Sequence, residues 1–449
     1  MTDPLRAIFQ SENQRNRMLR NNILFSGVLK AIGLCTSFLI VPLTLNYLDK
    51  EPYGIWMTIS SMAFWIFTFD IGLGNGMRNY LTAAISGNDF KAARTYICST
   101  FVMLTIFAGL MGILATPIIL TLDFNKILNT TALDNHYLQM VILIALILTL
   151  LNFVVKNVGF IYVAMQKYAI NDLLTIGGNV VALFVIYILA KTTEGNLLYV
   201  VATFMAMPVV VFLLGAIPIF YKYPHLRPSI KSIDISFSKG IVKKGLGFFF
   251  IQITSCLVIF GGSNLFISHF QGPEAVTTYN IAYKFFNLLI IGYTIIIAPM
   301  WNAYTDAYVK NDWAWIRNTF RRALLMWGLT ILGGIVMLLI CNLFYVFWVG
   351  TSVNIPLSVS VAVLVFVIFF NLNNGVTYLL NGLNTIRIQI YTSVIGTAVY
   401  LAVIAIYGQA LGIEGIVYSM AICYAIMSLI HFYQCRLILC QKATGIWKM

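Results

Sequence analysis

The run ILFSGVLKAIGLCTSFLIVPLTL, residues 23–45, contains a single charged side chain, Lys30. A second run, YLQMVILIALILTLLNFVV at 137–155, contains none. A helix crosses the roughly 30 Å hydrocarbon core of a bilayer with about 20 apolar residues, so both runs are long enough to span it. This feature constrains the fold more than any other, because lipid accepts only backbones that satisfy their own hydrogen bonds. The composition agrees: 60% of the 449 residues are hydrophobic and 10% charged, outside the range of soluble domains. Alternating ten-residue strands of a membrane barrel are absent from the sequence. No small-residue cleavage site follows the first run, so it reads as a retained span. The expectation is an all-α polytopic membrane protein with about 12 transmembrane helices. The spans fall near 23–46, 53–80, 96–122, 137–163, 171–191, 198–221, 245–270, 274–304, 321–348, 356–382, 388–408 and 414–437.

A net charge of +13 would suit nucleic acid, but its distribution points elsewhere. With the amino terminus in the cytoplasm, Lys50, Lys126 and Lys191 are the only basic residues in outer loops. Nearly all the rest lie in inner loops and at helix ends. This is the asymmetry of the positive-inside rule, and it predicts both termini on the cytoplasmic side. None of the seven cysteines lies in an outer loop, which gives no disulfide framework. His136, His225, His269 and His431 have no metal-ligand spacing, and no metal or cofactor is expected.

The sequence repeats itself at half length. NYLTAAISGNDFKAAR from Asn79 matches NAYTDAYVKNDWAWIR from Asn302 at six of sixteen positions, all at an offset of 223 residues. Asn157 and Tyr162 are echoed less sharply by Asn374 and Tyr378. Each copy of the long motif follows the second span of its half, so six helices separate them. An even number preserves direction, which predicts two parallel, pseudo-symmetric six-helix bundles around a central cavity. The expected organisation is a cytoplasmic amphipathic segment at 1–22, a first bundle at 23–222 and a basic linker at 223–244. A second bundle follows at 245–437, with a cytoplasmic tail at 438–449. A solvated basic tail is the equal alternative for the amino-terminal segment.

Ionisable groups inside hydrocarbon cost at least about 2.5–3.5 kcal/mol at mid-span, so each needs a reason. Lys284 lies near the middle of span eight, beyond easy snorkelling reach, and is the strongest candidate for a polar cavity. Lys30 lies closer to the inner end of span one, Lys156 in the inner third of span four, and Arg78 at the inner interface. For these three, snorkelling or topology competes with a cavity role. Asp70 is the acid deep in a span, a candidate for ion coupling or for charge balance with a cavity lysine. Asn280 and Asn287 flank Lys284 and are candidates for contacting a polar cargo, with helix–helix hydrogen bonds as the alternative. Gly72, Gly74 and Gly76 suit close helix packing, and Pro42, Pro117, Pro208 and Pro299 interrupt spans as potential bends. The sequence has no nucleophile elbow, H-E-x-x-H, acidic metal cluster or Walker motif. An enzyme is not expected. Any transport would draw on a proton or sodium gradient, a substrate gradient or a partner.

Residues 41–96 carry D-x-G-L-G-N-G-x-R-N at Asp70 to Asn79, followed by Asn88–Asp89 and Ala93–Arg94. This stretch resembles the opening of bacterial polysaccharide-unit flippases of the multidrug/oligosaccharidyl-lipid/polysaccharide exporter superfamily. The resemblance implies an inner-membrane protein that moves undecaprenyl-pyrophosphate-linked oligosaccharides for O-antigen or capsule. It also implies a V-shaped pair of bundles with a cationic cavity, membrane lipids as surroundings and a polysaccharide polymerase as candidate partner. Relatives that flip the peptidoglycan precursor carry basic residues on spans one, two and eight, where Lys30, Arg78 and Lys284 stand here. The alternative within transport is an ion-coupled drug or small-molecule antiporter of the same superfamily. A membrane glycosyltransferase would want a large outer loop or clustered acids, and a non-transporting scaffold would not need buried lysines.

Overall fold

The computed structural model describes residues 12–68, 73–229, 232–234, 262–351 and 353–447. Among them the secondary structure is helical, without strands. The helices are α1 (Glu12–Leu48), α2 (Lys50–Thr68), α3 (Leu73–Ser86), α4 (Phe90–Thr121), α5 (Phe124–Leu128), α6 (Asn135–Val155), α7 (Asn157–Ala164), α8 (Tyr168–Thr192) and α9 (Leu197–Lys222). They continue with α10 (Ser263–Gln271), α11 (Pro273–Val309), α12 (Trp313–Val349), α13 (Leu357–Gly382) and α14 (Arg387–Leu439). Nine segments of the described residues are long and apolar enough to cross a membrane, α6 and α7 counting as one. Spans eleven and twelve both lie in α14, which bends at Gly412, where φ is 64°. Most of span seven lies outside the described residues, with α10 as its described end. The amino-terminal segment is helical from Glu12 and runs on into span one without a break. Pro42, Pro117, Pro208 and Pro299 sit inside α1, α4, α9 and α11.

The chain forms two compact units, Met1–Asn125 with Thr131–Phe249 and Lys126–Thr130 with Phe250–Met449. Within the first unit α1 packs on α8, α8 on α9, α6 on α4 and α9, and α3 on α7. Close approach depends on small residues: a Cβ at Gly178 of α8 would lie 2.7 Å from the Pro208 Cα of α9. Within the second unit α13 is central, packed against α11, α12 and α14.

The repeated motif turns out to be a structural tie made once in each unit. Asn88 and Asn311 take left-handed conformations, φ 58° and 59°, that end α3 and α11. The next amide, of Asp89 or Asp312, donates back to the carbonyl of Ala84 or Ala307 at 2.9 Å, the closing bond of a Schellman turn. Both alanines are buried, 8% and 6% exposed, and leave room for the turn. Asp89 then caps α4 by accepting from the Ala92 amide, and Asp312 caps α12 by accepting from the Trp315 amide, both at 2.9 Å. Thr82 and Thr305 donate to the carbonyls of Ala164 (3.5 Å) and Gly382 (2.9 Å), the last residues of α7 and α13. Arg94 and Arg317 donate to the carbonyls of Arg227 (2.8 Å) and Leu439 (3.3 Å), beyond α9 and at the end of α14. Loss of one N-cap costs about 1 kcal/mol. Asp89→Ala and Asp312→Ala should each lower stability by that amount, and the double variant by about the sum, because the caps lie in different units. Thermal unfolding of the purified chain in detergent checks this, and a double variant no worse than either single one would contradict it.

Candidate functional site

In the first unit, α6 is interrupted at Lys156, whose amide donates to the Asn152 carbonyl at 2.9 Å before α7 begins. Lys156 is half-buried, with its ammonium 5.5 Å from the Phe153 ring centroid. The next residue, Asn157, is fully buried and donates to the Phe153 carbonyl at 2.9 Å. Gly74 of α3 lies against Asn157 and Phe160, so close that a Cβ would sit 2.5 Å from the Asn157 Oδ1. One turn further along α3 stands Arg78, also half-buried. The structure therefore brings the helices bearing Arg78 and Lys156 into contact. Lys30, exposed, stands apart on α1, the helix that packs on α8. Asp70 and Gly72 lie outside the described residues.

In the second unit Lys284 is half-buried on α11, eleven residues beyond Pro273, or roughly 16 Å along the helix axis. Asn280 and Asn287 share its face at the spacing i−4 and i+3. Asn280 is buried, 5% exposed, and donates to Asn264 Oδ1 of α10 and to the Val276 carbonyl, both at 2.9 Å. Its amide therefore joins two helices. Asn287 remains half-buried and accepts from the Tyr283 hydroxyl at 3.2 Å. Tyr283 stacks on Tyr279 with centroids 5.8 Å apart. Phe285 packs against Phe344 of α12 at 4.5 Å, closing the apolar side of the helix. Lys284 thus stands beside Asn287 and Tyr283, with Asn280 and Tyr279 buried behind them and rings packed on the apolar side.

Another basic corner lies beyond the spans of the first unit. The Lys167 ammonium is 3.5 Å from the Tyr223 hydroxyl and 5.4 Å from that ring's centroid, while Lys222 lies over the same ring at 5.9 Å. Burial lowers the Lys167 pKa below the usual lysine value, and the Lys222 charge lowers it further. A greasy cavity in this unit, lined by Ile59, Met62, Trp65, Ile119 and Ile142 among others, includes none of the candidate cations.

Two parts of this site were hidden in the sequence. The break at Lys156 leaves no signal, since span four is apolar on both sides of it. Tyr279 and Tyr283 carry a faint one: phenols at i, i+4 beside a mid-span lysine.

Long apolar helices in two units, each with its own copy of the turn–cap tie, define the class: this is a multi-pass helical membrane protein with an internal repeat. No family model matches the chain. Among solved structures, it superposes with a TM-score of 0.73 on a multidrug resistance MATE family transporter of the MOP superfamily, at 14% identity over 94% of this chain and 100% of the other. The lipid II flippase MurJ gives a TM-score of 0.68 at 12% identity, over 92% and 87% of the two chains. The fold is that of the MOP-superfamily transporters. In sequence, the chain is 19% identical over 360 residues to a Salmonella typhi protein named "Putative O-antigen transporter", covering 79% of this chain and 75% of that one.

Proposed function

We propose that this protein is a flippase that moves undecaprenyl-pyrophosphate-linked oligosaccharide repeat units from the inner to the outer leaflet by alternating access. Lys284 carries the reading. A lysine half-buried near the middle of a span, beside Asn287 and Tyr283, is rare in hydrocarbon and marks a path for polar cargo. A pyrophosphate brings about two negative charges that hydrocarbon does not solvate, and cations in a low dielectric replace that hydration. Arg78, Lys156 and Lys30 supply further positive charge, with Asp70 as charge balance or ion-coupling group. Asn287 and Tyr283 offer hydrogen bonds to sugar. The sign of this set favours an anionic cargo over the cationic drugs of an antiporter. The name of the curated relative and the flippase among the structural neighbours support the same cargo class. The basic residues concentrated in inner loops support an inner-membrane location with both termini cytoplasmic.

Deleting the gene tests the proposal. The expected result is loss of surface polymer, with lipid-linked repeat units accumulating on the inner leaflet, restored by the wild-type gene. Unchanged polymer together with new sensitivity to cationic drugs would replace the flippase with the antiporter.

A further inference from the structure

His431 is buried inside the second arm of α14, 1% exposed and eight residues before Leu439, or about 12 Å from the helix end. Both ring nitrogens have partners from other helical segments. Nδ1 lies 3.0 Å from Asn373 Oδ1 of α13, and Nε2 lies 2.8 Å from the Thr392 hydroxyl in the first arm of α14. Thr392 has two further acceptors for its single proton, the carbonyls of Ile388 at 3.0 Å and Gln389 at 3.2 Å. These distances define two states. In the neutral state Nδ1–H donates to Asn373, and the Thr392 hydroxyl donates to the bare Nε2. When a proton arrives at Nε2, the hydroxyl turns to the Ile388 carbonyl, and Nε2–H then donates to the threonine oxygen. Every polar atom is satisfied in both states, and one hydroxyl rotation separates them. Hydrogen bonding alone does not require a titratable ring here. Asparagine or glutamine makes such bonds throughout the unit, as at Asn371 to the Leu289 carbonyl and Gln389 to Asn381.

Among the described residues, the helices packed on His431 bring no carboxylate to it. Neither α12 nor α13 contains an Asp or Glu, and the acid of α14, Glu414, stands at the far end of the second arm. The other titratable and charged groups on these helices are Arg317, Arg321, Arg322, Cys341 and Tyr345 of α12, Tyr378 of α13, Arg387, Tyr391, Tyr400 and Tyr407 of the first arm, and Tyr418, Cys423, Tyr424, Tyr433, Cys435 and Arg436 of the second. All five arginines are exposed, Cys435 donates to the Val376 carbonyl, and the two bonds of the imidazole go to Asn373 and Thr392. Charge on the ring is therefore tolerated only through the two neutral acceptors, which makes it sensitive to how α13 and the two arms of α14 are packed.

We infer that His431, with Asn373 and Thr392, is a proton-binding site of the second unit, and that its occupancy is linked to the transport cycle. The linkage to transport rests on the flippase reading above; the proton site does not. The test uses the full chain, labelled with 15N-histidine, in lipid nanodiscs. Ring nitrogen shifts followed from about pH 8 to about pH 2.5 cover the range in which a buried imidazole exchanges its proton. His431→Gln identifies the signal by removing it. The expected signal is a neutral ring bearing its proton on Nδ1 that gains a second N–H as the pH falls. Thr392→Val removes the acceptor for Nε2–H and should lower the midpoint by about one pH unit. A ring that stays in one neutral form throughout, or a midpoint unmoved by Thr392→Val, overturns the proton site. In cells, His431→Gln at wild-type protein level should flatten the pH dependence of polymer export. Wild-type pH dependence in that variant would overturn the linkage and leave the flippase standing, whereas intact polymer in the gene deletion would remove the flippase and leave the titration to decide the site.

Discussion

Lys284→Ala is expected to abolish complementation of a strain lacking the gene, while Lys284→Arg retains part of it. The argument is one of replaced hydration. In the proposed cycle a diphosphate leaves water, and every cation withdrawn from its path leaves charge unsolvated. A hydrogen bond to a charged group contributes about 1.5–3 kcal/mol, which is about ten- to hundredfold in an equilibrium. At mid-span, with no water to substitute, the upper end of that range applies. Arginine keeps the charge but spreads it over a planar fork, so it restores attraction without the same geometry. The half-buried position beside Tyr283 and Asn287 leaves the alanine variant free of any new clash, so its fold should survive. Surface polymer measured at matched membrane levels of protein is the readout, and full activity of the alanine variant would remove Lys284 from the mechanism.

The second large effect is expected on folding, from Gly382→Val. Gly382 ends α13 where α11 crosses it, and its carbonyl accepts from Thr305. A Cβ there would lie 2.7 Å from the Tyr304 Cβ and 2.9 Å from the Trp301 carbonyl oxygen. Neither atom moves by side-chain rotation, so the two helices must separate. Overpacking of this kind costs about 1–3 kcal/mol and more where backbone must shift. Lost packing would also disturb the Thr305 bond that belongs to the repeated tie. The purified variant should unfold at clearly lower temperature, and its membrane level should fall. Gly292, in α11 with nothing within 4 Å of a Cβ, is the control. Gly292→Ala should be neutral or slightly stabilising, because alanine favours helix by about 1 kcal/mol over glycine. Equal effects of the two substitutions would show that crowding at Gly382 is not what holds α11 and α13 together.

The sequence already gave up the helices, because the length and hydropathy of a run are local properties and lipid permits few alternatives. It also exposed the repeat, but the turn that Asn88–Asp89 and Asn311–Asp312 each make came only with the structure. What those residues were for became visible only when the chain was folded. Thr82 and Arg94 read as polar residues of unknown role until α7 and the end of α9 came within reach of them, and the same holds for Thr305 and Arg317. Asn280 and Asn287 look alike along the chain, yet one bonds another helix and the other faces partly open space. His431 had no sequence signature at all, because its meaning lies in Asn373 and Thr392, 58 and 39 residues away. The length and order of the helices follow from free-energy terms that act along the chain. The partners of each buried polar group depend on which helices meet, and packing alone decides that.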